Sequence, residues 1–179
     1  MFVRTVITRE KLAFAFGMMY LWIVMILLGA IVFETFIVYP NIFHTVPESF
    51  QTSMDFMAVA GPSDFFPPVG MLAVVTGIGA VSLSWREKSV RYWLLASVLL
   101  LIIALFILSV FFFWPRNTIM FEEGVAEHSV AVLKQTAWEF QMGHWIRLGT
   151  SIATSALAFI GVLKLYKRVI VSRRMEPPA

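Results

Sequence analysis

The sequence predicts an all-α protein, an integral membrane four-helix bundle forming a single domain over residues 1–179. Three observations carry this reading. Of 179 residues, 59% are hydrophobic and 14% charged, with a mean hydropathy of +0.81. Soluble domains run nearer half apolar and a quarter charged. The apolar residues collect into four runs close to the ~20 residues a helix needs to cross a bilayer. Lysine and arginine collect before the first run, between the second and third, and after the fourth.

The first run covers about residues 12–38 and is expected to end ahead of Pro40. It is too long for a signal peptide, and no small-residue cleavage site follows it. The second, about 69–85, is short and glycine-rich, and stands behind Pro67 and Pro68, a pair suited to a helix start. The third, about 90–114, is expected to stop at Trp114, because Pro115 biases its predecessor away from helix. The fourth span covers about 144–166. Its helix is expected to begin earlier, near Ser129, because Val130, Leu133, Ala137, Phe140 and His144 recur at helical spacing. That long fourth helix then projects beyond the membrane on the outer side.

Charge sets the orientation. Arg4, Arg9 and Lys11 precede the first run; Arg86, Lys88 and Arg91 lie in the short turn; Lys164, Lys167, Arg168, Arg173 and Arg174 follow the fourth. The two long connections, about 39–66 and 115–143, hold Glu48, Asp55, Asp64, Glu122, Glu123, Glu127 and Glu139 against Arg116 and Lys134. The positive-inside rule places both termini in the cytoplasm of a multi-pass cell-membrane protein. With no cysteine in the chain, disulfides, thiolate metal sites and cysteine nucleophiles are excluded.

The stretch "EFQMGHWIRLGTSIATS", Glu139 to Ser155, is unusually polar for a helix bound for lipid. At ~100° per residue, His144, Arg147, Ser151 and Thr154 share one face. Ionisable groups in a span are costly and face the bundle interior or a cavity. Glu34 of the first helix stands at a similar depth, so a Glu34–Arg147 pair is expected. Tyr39, Trp114, Trp138, Trp145, Phe43 and Phe112 are expected to line an outward-facing pocket with it. The plainer reading makes the pair architectural and Tyr39, Trp114 and Trp145 interfacial anchors. Gly149, Ala153 and Ala156 form a small-residue ridge, suited to close approach by a helix of this chain, by a second copy or by another membrane protein. The three histidines are scattered, so no metal site is expected, and no nucleic-acid-binding pattern is present.

"FIVYPNIF" at the end of the first span, "FFWPRNTIM" after the third and "W…HWIR" opening the fourth carry a likeness. With them, nearly the whole chain resembles a large family of small four-helix membrane proteins that includes the anthrone oxygenases. By that resemblance Asn117, Trp138 and Arg147 match an asparagine after the third helix and a tryptophan and an arginine around the start of the fourth. The resemblance implies oxidation of a polyphenolic anthrone to an anthraquinone with dioxygen and no bound cofactor. On this reading His144 is the general base, and Arg147 and Asn117 hold the oxyanion. Glu34, Tyr39, Trp114, Trp138 and Trp145 contact a lipid-soluble aromatic or quinone-like substrate. Two other readings stand beside it. One is a non-catalytic subunit or scaffold. The other is a protein that binds or moves lipid or small molecules.

Overall fold

The computed structural model describes residues 9–175, with side chains as far as Ile170. Arg4 lies outside the described residues, as do the side chains of Arg173 and Arg174. Among the described residues five helices and no strand occur: α1 (Arg9–Ile42), α2 (Glu48–Phe56), α3 (Pro62–Leu83), α4 (Lys88–Glu127) and α5 (Val130–Met175). All except α2 are long and apolar enough to cross a membrane. The chain is a multi-pass membrane protein.

Two expected stops do not occur. α1 runs through Pro40 and α4 through Pro115. A proline has no N–H for the carbonyl four residues back, and its ring crowds that turn. The structure accommodates this by widening the helix. Glu34–Val38 ahead of Pro40 and Ser109–Phe113 ahead of Pro115 are π-helical; α4 has two further π turns, Ile102–Ile107 and Thr118–Glu123, which do not contain the carbonyl its proline leaves unserved. The residue after each proline also reaches back: Asn41 Nδ2 donates to the Ile37 carbonyl at 2.7 Å, and Arg116 Nη1 to that of Phe112 at 3.0 Å.

α3 begins earlier than expected, at Pro62. The Asp64 carboxylate accepts from the Gly61 N–H at 2.8 Å, while the Asp64 N–H donates to the Gly61 carbonyl at 3.0 Å. Pro67 and Pro68 then fall inside the helix. α5 starts at Val130, where the periodicity places it, and Leu133, Ala137, Phe140 and His144 are buried along one face.

α1 packs along both α3 and α5, and α5 also packs along α4; the α3–α4 seam is thinner. Arg9 donates to the carbonyls of Leu83 and Ser82, and Arg168 pairs with Glu87. The start of α1 and the late turns of α5 therefore sit beside the 84–87 turn. At the opposite, distal end the first connection folds back as α2 and adds Val46 and Phe50 to an aromatic core with Tyr39, Phe43, Phe113 and Phe140. A second core, built around Tyr20, Leu94 and Ala158, fills the half nearer the turn.

Candidate functional site

Between the two cores lies a cavity of ≈290 Å³. α1 contributes Glu34 and Tyr39, α3 contributes Pro62, Ser63, Phe66 and Pro67, and α5 contributes Phe140 and Arg147. α4 supplies the remaining wall, which includes Ser109, Phe113, Trp114 and Asn117. Backbone shape makes the space. At Gly70 a Cβ would collide with Leu105, so α3 meets α4 closely there. Beyond that crossing, the opening turns of α3 face Phe106, Ser109 and Val110 across the cavity. Pro67 and Pro68 also remove the amide donors four and five residues beyond Ser63, which leaves its carbonyl without its usual helical partner beside the cavity.

Glu34, His144 and Arg147 are 6%, 1% and 7% exposed. The expected direct pairing of Glu34 with Arg147 is absent: among the described residues no Arg147 nitrogen lies within 4.0 Å of a Glu34 oxygen. The arginine turns to α4 instead. Its Nη2 donates to Ser109 Oγ at 2.8 Å, and its guanidinium lies 3.6 Å over the Phe113 ring, a cation–π contact that a dry site strengthens. Ser109 spends its own proton on the Leu105 carbonyl. Tyr39 donates to Glu34 Oε1 at 3.4 Å.

His144 stands behind Glu34 and not in the cavity wall. Its ring packs against Tyr39 at 4.2 Å, Phe113 at 5.2 Å and Phe140 at 5.6 Å. Thr35 Oγ1 donates its one proton to the Ile31 carbonyl at 2.7 Å. The 3.4 Å contact between Thr35 Oγ1 and His144 Nδ1 therefore makes Nδ1 the donor. In a neutral ring Nε2 is then an acceptor, and it faces another acceptor, Glu34 Oε2, at 3.9 Å. That distance is too long for a hydrogen bond. Glu34 Oε2, His144 Nε2 and Arg147 Nε are all buried and, among the described residues, without a hydrogen-bond partner. Each such atom costs about 1–3 kcal/mol, and more where charged. Two of the three residues line the cavity and His144 stands behind Glu34, which makes a polar site in an apolar bundle.

The polar seam continues toward the turn end. A small void of ≈10 Å³ adjoins Ser151 and Thr154. Next to it Tyr20 and Ser97 share a 2.7 Å hydrogen bond, and Ser97 donates to the Thr154 carbonyl at 2.8 Å.

Of the eight residues singled out from the sequence, Glu34, Tyr39, Trp114, Asn117 and Arg147 line one cavity, and His144 touches it through Glu34. Trp138 and Trp145 are brought to no common point with them. They are 58% and 47% exposed on the outward side of α5, Trp145 resting edge-on against Phe36. Successive residues of a helix are turned by about 100°, so with His144 buried Trp145 falls outside the buried face. Phe43 belongs to the distal core. Phe112 lies against Arg116, whose guanidinium pairs with Glu139 at 2.7 Å. The small-residue ridge faces away from the bundle: Gly149, Ala153 and Ala156 are exposed, and nothing lies within 4 Å of a Cβ built on Gly149. Among the described residues it packs against no helix of this chain. Of the acidic group near the second connection, Glu123 bonds His128, and no three candidate ligands converge among the described residues.

Sequence reasoning missed Ser109, Phe66 and the proline-led start of α3. Ser109 carried a signal, as one of two hydroxyls in the apolar run from Leu94 to Trp114. Phe66 carried none.

No protein-family model, curated protein or solved structure matches the chain. The chemistry of the site is read from its own geometry.

Proposed function

We propose that this membrane protein takes a lipid-soluble aromatic or quinone-like molecule into the cavity between its two cores and oxidises it as an anthrone-oxygenase-like enzyme. The bundle sits in the cell membrane with both termini cytoplasmic, which puts the cavity in the outer half. The observation that carries the reading is that Glu34 and Arg147, each with an unpartnered buried polar atom, line a cavity walled by aromatic rings, with the unpartnered His144 Nε2 behind Glu34.

Roles follow from position. Glu34 faces the cavity and takes a proton from an acidic ring methylene or phenol. His144 lies behind it with Nε2 3.9 Å from the carboxylate, so the general base is the carboxylate itself and the imidazole borders it without a hydrogen bond. The negative charge then moves to the ring oxygen, where Arg147 and Asn117 hold it. For a ring methylene the carbanion pair adds to dioxygen. The resulting hydroperoxide loses water as its O–O bond breaks and the second carbon proton leaves, so that R₂CH₂ and O₂ give R₂C=O and H₂O. Phe66, Phe113 and Trp114 supply faces against which a flat ring packs.

The direct test follows anthraquinone formation from an anthrone under air, with the protein in mild detergent. Glu34→Gln keeps the shape and removes the base, and is expected to lower turnover at least about a hundredfold, the usual worth of a positioned general base. An unchanged rate would overturn the enzymatic reading. A second reading, a non-catalytic membrane subunit, draws support from the exposed Gly149–Ala153–Ala156 ridge. It expects a co-purifying partner chain that Gly149→Leu releases.

A further inference from the structure

A second and larger depression, ≈850 Å³, lies between the distal part of α1, α2 and the first turns of α3. It is not separate from the cavity. Glu34, Pro62 and Phe66 line both, so the two spaces meet at these three side chains. The groove has a direction. Along α1 it runs over Ala30, Phe33, Ile37 and Asn41, then past the helix end over His44 and Thr45. Its half nearer the bilayer centre is therefore hydrocarbon-like, and its half toward α2 is polar. Phe33, Ile37 and Phe65 are exposed on the outside of the bundle, where a membrane protein meets lipid. None of the described residues lining it is lysine or arginine.

Size separates the two spaces. The inner cavity is at the small end of ligand pockets. It holds a fused-ring head and leaves no room for a long chain. Any substituent on a ring seated beside Glu34 that leaves past Phe66 and Pro62 enters the groove at its apolar half. We propose that the substrate class is a ring with a hydrocarbon tail, an alkyl- or prenyl-substituted anthrone or phenol, whose ring occupies the inner cavity and whose tail lies in the groove along Ala30, Phe33, Ile37 and Phe65. This rests on the proposed reading of the inner cavity. In a bilayer the tail gains little from the groove's apolarity, since lipid is equally apolar. The groove supplies direction: it fixes which edge of the ring faces Glu34, and it opens the cavity sideways to the membrane.

The experiment compares two probes binding to the protein in phosphatidylcholine nanodiscs, with concentrations expressed per lipid. One is 1,4-naphthoquinone; the other is the same ring with a decyl tail. Ile37→Trp and Ala60→Trp fill the groove from α1 and from the connection ahead of α3, at exposed positions that do not line the inner cavity. Both variants are expected to weaken the tailed ring at least about tenfold and the bare ring less than about twofold, because specificity is the difference between the two affinities. If the bare ring binds and the tailed ring is unaffected by either variant, the tail groove is wrong and the reading of the cavity stands. If neither ring binds the wild type, both fall. Agreement between variants on these two segments guards against a local folding fault in one of them.

Discussion

At the scale of single residues, the site is defined by which polar atom meets which. Glu34 and Arg147 share a cavity but not a hydrogen bond, and His144 is the nearer partner of the carboxylate. A double-mutant cycle in a thermal-stability assay is therefore expected to give coupling between Glu34→Gln and His144→Phe. Coupling between Glu34→Gln and Arg147→Met should be weaker than that, since no hydrogen bond or close ion pair joins the two side chains. A larger value for the arginine cycle would restore the direct ion pair. Ser109→Ala removes the acceptor of Arg147 Nη2 and is expected to cost about 1–3 kcal/mol, as for a buried donor left unpaired. A stability change near zero would mean the arginine has another seat.

At the scale of elements, the π-helical turns and the prolines inside α1, α3 and α4 shape the site. A π turn rotates every later side chain relative to a regular helix, and such turns are frequent at functional sites. Glu34 begins the turn in α1, and Ser109 begins one in α4. Pro40→Ala is expected to let α1 tighten toward a regular helix and turn Glu34 relative to Tyr39. Ring binding should fall while global stability rises or holds; a loss of stability with unchanged binding would contradict this. Helix contact is equally specific at Gly143, where a Cβ would strike the Phe112 ring. Gly143→Val is expected to destabilise by about 1–3 kcal/mol, and Phe112→Ala in the same chain should recover part of that. By contrast, Gly149→Leu meets nothing within this chain and should leave its melting temperature unchanged.

At the scale of the whole molecule, orientation can be measured cleanly because the chain has no cysteine. Gln51 in α2 and Ser89 at the start of α4 are both exposed. In intact cells Gln51→Cys is expected to react with a membrane-impermeant thiol reagent, and Ser89→Cys only after permeabilisation. The reverse pattern would invert the bundle and move the cavity to the inner half.

What the sequence by itself determined is the number of long apolar helices, the early start of α5 and the burial of Glu34, His144 and Arg147. Each follows from a property written along one helix: hydropathy, 3.6-residue spacing, and the cost of an ionisable group in lipid. Helix ends at Pro40 and Pro115 were misread because local bias against helix was offset by side chains reaching back from Asn41 and Arg116. Only the tertiary structure decided that Arg147 turns to Ser109 and Phe113, that Trp138 and Trp145 face outward, and that the first turns of α3 close the cavity. These depend on the angles at which helices cross, and crossing is set by contacts such as Gly70 with Leu105 and Gly143 with Phe112. Those contacts join residues far apart in the chain, so no periodicity along it carries them.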